Sequence, residues 1–207
     1  MSTDSRHRIV LASRSPRRLA LATEAGWDVT VAPPPEAAEA DAPGRAMHES
    51  LEAYVQRLAV AKATAVIAAG LTGTILACDT LSEVDGEALG KAADESEARQ
   101  MLQRLSGRTH RVVTGVCLWR QPPADAGIAG AAPVTASAES LLAMSDLTTE
   151  FLDWYLASGL WRGKAGACGF QDERLPLRLV SGSPSNVVGL PLELIREMLN
   201  QLESKPM

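Results

Sequence analysis

The sequence predicts an α/β fold. Three observations lead there: short β-type runs alternate with helical runs along the chain, the first strand empties into a serine turn that caps a helix, and 46% apolar residues in 207 suffice for a sizeable core. One domain or two closely apposed lobes are expected, because cores begin to divide only beyond roughly 250 residues.

Residues 1–8 read as a flexible tail and 9–203 as the domain. Ile9 to Ala12 is a short buried strand. Ser15 as N-cap with Pro16 at the first helical position then starts a helix that Gly26 ends. Trp27, Val29 and Val31 alternate with polar residues as a second strand, which Pro33-Pro34-Pro35 stops because proline cannot donate to a sheet ladder. After a polar loop over 33–47, Ser50 caps a long helix to about Ala69, with Gly70 as C-cap and Leu51, Val55, Leu58 and Val66 as apolar stripe.

Thr74 to Cys78 reads as a buried strand, and Leu81–Val84 with Glu87–Leu89 as a hairpin turning at Asp85-Gly86. Asp94 and Glu97 have capping-box spacing and open a helix ending near Ser106-Gly107. Two long β-type runs follow, Thr109 to Arg120 and Val134 to Ala143, joined by a low-complexity stretch that predicts a mobile loop at about 121–133. Phe151, Trp154 and Tyr155 have helical spacing and predict a core face before Gly159. Leu175 to Val180 is a further strand, SGSPSN a turn, and Pro191 begins a closing helix to about Leu202.

The balance of 20 Lys and Arg against 25 Asp and Glu, net −5, argues against a protein that coats nucleic acid through a broad basic field. No stretch approaches the roughly 18 consecutive apolar residues of a membrane helix, and a cytoplasmic address is expected. Cys78, Cys117 and Cys168 are odd in number and far apart, without CxxC, so neither a disulfide framework nor a zinc site is expected. His110 reads as structural or substrate-lining, since no triad partner is identified.

The chemistry concentrates in a few segments. In LASRSPRR, residues 11–18, the positive end of a helix meets a serine turn, and Ser13, Ser15, Arg17 and Arg18 add donors suited to phosphate oxygens. In ILACDT, residues 75–80, an apolar strand delivers Asp79 and Thr80 at its carboxyl end, where ligand sites of open α/β sheets gather. A carboxylate there can bind a divalent ion, deprotonate water or cap the next turn. Lys62, Lys91 and Lys164 sit among residues that are otherwise helix or turn filler. Around Lys164, Gly163, Gly166 and Gly169 recur every third position, predicting a backbone closely approached by something, and Gln171 offers a donor and an acceptor.

Taken in order, LASRSPRR, YVQRLAVAKA, CDT, GEALGKA, LSGRTHRVVTGV, GKAGACGFQ and NVVGLPLE resemble the successive motifs of the Maf family of nucleoside triphosphate pyrophosphatases, over nearly the whole chain. The resemblance implies a mixed α/β sheet in two lobes around a cleft, similar to the inosine triphosphate pyrophosphatase architecture. It implies cleavage of a triphosphate to monophosphate and pyrophosphate with magnesium or manganese. Asp79 matches the acidic residue essential for hydrolysis, and Glu36 the second carboxylate and metal ligand, with Glu39 as its rival. Lys62 and Lys91 match catalytic and substrate-contacting positions, and Ser13, Ser15, Arg17, Arg18, Thr80, Lys164 and Gln171 substrate-binding ones.

Arg17, Thr80 and Gln171 resemble the branch acting on dTTP and UTP rather than the one acting on 7-methylguanosine triphosphate. Cys78, Ala92, Cys168 and Asp172 depart from the family's usual glycine, proline, tyrosine and glycine. The expected partners are a small-molecule nucleoside triphosphate and a second copy of the chain in a homodimer, with neither nucleic acid nor membrane. A nucleotide-binding regulator of septum formation is the other reading. Retention of Asp79 with three lysines favours the enzyme.

Overall fold

The computed structural model of the protein describes residues 7–35, 44–123 and 130–204. Glu36 and Glu39, the tail before His7 and the centre of the 121–133 loop lie outside the described residues. In chain order the elements are β1 (Arg8–Leu11), α1 (Pro16–Glu24), β2 (Asp28–Val31), α2 (Leu51–Ala68), β3 (Gly73–Val84), β4 (Glu87–Leu89), α3 (Glu95–Leu105), β5 (Thr109–Gln121), β6 (Val134–Met144), α4 (Thr149–Ser158), β7 (Leu177–Ser181), α5 (Pro184–Val188) and α6 (Leu192–Ser204).

The strands form one mixed sheet in the order β2-β1-β3-β5-β6-β7, with β4 paired to β3. β1 runs parallel to both β2 and β3, whereas β3–β4 and β6–β7 are antiparallel. The chain divides into two compact units, the first drawn from Met1–Asp79, Gly115–Ser137 and Leu192–Met207, the second from Thr80–Thr114 and Ala138–Pro191. No helix among the described residues is long and apolar enough to cross a membrane.

Local chemistry sets the helix starts. Ser15 Oγ accepts from Arg18 N, Ser50 Oγ from Ala53 N, Asp94 Oδ1 from Glu97 N and Thr148 Oγ1 from Phe151 N, each satisfying one of the orphan donors of a first turn. Asp85 and Gly86, at φ 52° and 79°, make the tight β3–β4 turn that their Asp-Gly sequence specifies.

The first unit packs on small residues. Ala59, Ala63 and Val66 of α2 meet Ala12, Ile75, Ala77 and Cys117, which lets the helix lie close on the sheet. At the closest point a Cβ on Gly115 would stand 2.3 Å from the Val55 carbonyl carbon, so only glycine fits that position of β5. The second unit buries larger side chains: Met101, Leu102 and Leu105 of α3 against Leu152, Tyr155 and Leu156 of α4, with Trp161 and Leu175.

Four elements differ from the sequence expectation. β1 begins at Arg8, inside the expected tail, because Arg8 is in register with Asp28 of β2. The segments expected as separate strands on either side of Asp79-Thr80 are one twelve-residue strand, β3, so Asp79 lies within a strand and not at its end. SGSPSN contains the short helix α5, capped by Ser183. Trp154 is 38% exposed under the Arg174 guanidinium, and the buried face of α4 is Leu152, Tyr155 and Leu156.

Candidate active site

β1 ends at Leu11, and the following turn folds back on itself: Ser13 N donates to the Leu11 carbonyl and Ser15 N to Ser13 Oγ at 3.1 Å. Ser13 is buried, and its hydroxyl also accepts from Arg18 Nη1 at 3.4 Å, so its proton is what it can offer an anion. Arg18 reaches further, donating to the Cys78 carbonyl at 2.8 Å. The turn read as an anion cradle is thereby fastened to the strand that carries Asp79. Arg17 is half-buried in the first turn of α1. Arg14, which sequence reasoning passed over, donates to the Pro34 carbonyl at 2.8 Å, ahead of the segment containing Glu36.

Lys62 occupies a core position of α2. Buried Leu51, Val55, Ala59 and Val66 mark the inner face, and Lys62 falls on that stripe, three residues after Ala59 and four before Val66. A buried ammonium requires a partner. It has one in Asp79, whose Oδ1 lies 2.5 Å from Lys62 Nζ, with side chains 7% and 15% exposed. Beside this pair, burial pushes the Cys78 thiol up to about 11 and removes it as a nucleophile.

In the second unit, Thr80 Oγ1 stands 3.0 Å from Thr114 Oγ1, which donates to the Asn186 carbonyl. Lys91 is exposed and bridges in antiparallel fashion to Ala165, and Gly166 N donates to the Gly90 carbonyl. Lys164, by contrast, is buried, and its ammonium contacts both oxygens of Asp172. Asp172 also accepts from the Tyr155 phenol, and burial with this carboxylate alongside holds the phenol far above its ordinary range.

The glycines around Lys164 serve this packing. Gly163 and Gly166 adopt left-handed φ of 69° and 63°, and a Cβ on Gly169 would press on Lys164 Nζ at 2.7 Å and Asp172 Oδ2 at 2.9 Å. The expected close approach is therefore internal to the unit. Cys168 beside it is raised to about 12 by burial and the Asp172 charge. Gln171 is exposed at the loop surface.

Sequence reasoning found Ser13, Ser15, Arg18, Lys62 and Asp79, which the first unit joins by hydrogen bonds and chain connectivity. It missed the pairing of Asp172 with Lys164, and the parts played by Tyr155, Thr114 and Asn186. The stripe position of Lys62 was the one signal available.

Among the described residues no group of three or more His, Cys, Asp and Glu side chains could hold a metal ion. Magnesium, however, is commonly held by one or two carboxylates together with substrate phosphates. Asp79 Oδ2, a hard oxygen beside a phosphate-type cradle, fits that mode.

These features define a mixed α/β protein in which a serine–arginine turn at the start of α1 is fastened to the strand that carries a buried lysine–aspartate pair. The Maf-like protein family model matches residues 8–202. The chain belongs to this family. It is 41% identical over 196 residues to a dTTP/UTP pyrophosphatase of Rhodopirellula baltica, covering 94% of this chain and 82% of that one. It is 40% identical over 197 residues to a dTTP/UTP pyrophosphatase of Symbiobacterium thermophilum, covering 93% of each. The structure of a HAM1 protein from Coxiella burnetii aligns with TM-score 0.49 and 18% identity over 94% of this chain and 99% of that one.

Proposed function

We propose that this protein is a nucleoside triphosphate pyrophosphatase that hydrolyses dTTP and UTP to the monophosphate and pyrophosphate. The observation that carries the reading is the buried Lys62–Asp79 pair on the strand to which Arg18 fastens the cradle. Relatives 32–41% identical over most of the chain bear that name.

The N-H groups of the first turn of α1, the Ser13 hydroxyl, Ser15 and the Arg17 and Arg18 guanidinium groups bind the phosphate chain, on which charge builds as pyrophosphate leaves. Lys62 fixes the Asp79 carboxylate in one orientation and balances its charge. A divalent ion, magnesium or manganese, held by Asp79 with Glu36, supplies neutralisation at the scissile phosphoryl group when bound. Lys91 and Gln171, both exposed, contact the substrate, with Arg17, Thr80 and Gln171 setting the preference for a pyrimidine. Lys164 contributes by holding the loop that presents Gln171. Residues 9–203 act as one catalytic domain, in a cytoplasmic homodimer.

A pyrophosphate-release screen over canonical and 7-methylated nucleoside triphosphates, with and without magnesium or manganese, tests the reading. The highest kcat/KM is expected for dTTP and UTP and only with metal. A best substrate of 7-methylguanosine triphosphate would move the protein to the sister branch. Tight binding without turnover would make it a regulator.

A further inference from the structure

Asp79 is anchored through both of its peptide neighbours. On the N-terminal side the β1–β3 pairing ends at Leu76, whose carbonyl accepts from Ala12 N at 2.8 Å. The next acceptor along that strand edge is the Cys78 carbonyl, and there the Arg18 guanidinium replaces the missing strand at 2.8 Å. On the C-terminal side Thr80 Oγ1 meets Thr114 Oγ1 at 3.0 Å, and Thr114 Oγ1 donates to the Asn186 carbonyl at 3.1 Å.

Thr114 has one hydroxyl proton and a carbonyl only accepts, so with both contacts made Thr80 donates to Thr114 and Thr114 donates to Asn186. The end of the relay is rigid. Asn186 Nδ2 donates to the Val112 carbonyl at 3.2 Å and to Ser140 Oγ at 2.8 Å, while its backbone N donates to Ser183 Oγ and its carbonyl also accepts from Gly189 N. Thr114 and Asn186 are 0% and 1% exposed. Every donor of this buried chain is paired, while Asn186 Oδ1 is buried without a partner among the described residues; buried donors paired in this way hold a backbone to one geometry.

We propose that Thr114, backed by the Asn186 carbonyl, is a positioning residue for Asp79, acting through the Thr80 hydroxyl on the strand that carries the carboxylate. This rests on the reading of Asp79 as the catalytic acidic group. The Thr80 side chain, tied inward to Thr114, fixes β3 one residue past Asp79 as Arg18 fixes it one residue before.

Thr114→Val keeps the shape and removes the hydroxyl, and Thr114→Ser keeps the hydroxyl. In Thr114→Val we expect kcat on dTTP to fall about tenfold or more with KM within about twofold, since small misplacements of a catalytic group are costly in rate. Thr114→Ser should restore kcat to within about threefold. Amide hydrogen exchange at Asp79 and Thr80 should accelerate in the valine variant alone, with the melting temperature reporting overall folding, and this readout needs no substrate. A wild-type protein inactive on every triphosphate would defeat the functional reading and leave the exchange result to decide the anchoring. Unchanged exchange, unchanged kcat, a rise in KM alone, or a serine variant as impaired as the valine one would each overturn the proposal.

Discussion

Lys62 Nζ lies 2.5 Å from Asp79 Oδ1, an ion pair that joins the inner face of α2 to the middle of β3 with both side chains largely withdrawn from water. Each partner makes the other tolerable. Burying either charge alone costs several kcal/mol.

Lys62→Met should therefore cost about 3 kcal/mol of stability and lower turnover by about 100-fold or more. Adding Asp79→Asn removes the stranded carboxylate. The double variant should regain at least half of the lost stability in urea unfolding while turnover stays absent. Additive losses would mean that the two residues do not form one unit.

The Lys164–Asp172–Tyr155 cluster makes a prediction of the same kind in the second unit. Asp172→Asn should lose about 3 kcal/mol, roughly 6–12 °C in Tm for a chain of this size, because it leaves a buried ammonium without its counter-charge. Tyr155→Phe, which removes one hydrogen bond to the carboxylate, should lose about 1.5 kcal/mol. Calorimetry of the two variants checks the order, and an Asp172→Asn protein melting with the wild type would contradict it.

His110 introduces a pH dependence. Its ring is buried, neither nitrogen has a hydrogen-bond partner among the described residues, and burial lowers its pKa from 6.5 to about 4. The unfolded chain binds the proton first, so this residue favours unfolding progressively as pH falls from about 6.5 to about 4, by about 3 kcal/mol in all, and has no such effect above that range. His110→Leu should flatten the stability profile in this window relative to the wild type. Parallel urea midpoints from pH 7 to pH 4 would show that the ring is not held neutral.

Much of this was legible in the residues, and the rest had identifiable physical reasons for being hidden. Ser15, Ser50 and Asp94 cap helices, and Asp85-Gly86 turns a hairpin, because those signals are local chemistry that tertiary context left intact. The apolar run stops at Asp79 and predicts two strands where β3 is one, since Lys62 and the Thr80–Thr114 contact make polar side chains acceptable there. The sequence marks Lys62 as a candidate, but its partner comes from 17 positions away on another element, and no periodicity encodes that. The Lys164–Asp172 pairing lies within an irregular glycine loop, where spacing carries no directional information. α5, five residues long, is too short to show a helical period and is fixed by Ser183 and by Asn186 reaching Val112 and Ser140.

The most direct measurement follows the products of dTTP with magnesium by phosphorus NMR, for the wild-type protein and for Asp79→Asn. The wild type should yield dTMP and pyrophosphate, and the Asp79→Asn protein, still folded at the assay temperature though it melts earlier because the buried Lys62 ammonium has lost its counter-charge, should turn over at least about 100-fold more slowly. Release of dTDP and orthophosphate, or near-normal turnover by a well-folded Asp79→Asn protein, would contradict the assignment of this carboxylate as the centre of a nucleoside triphosphate pyrophosphatase.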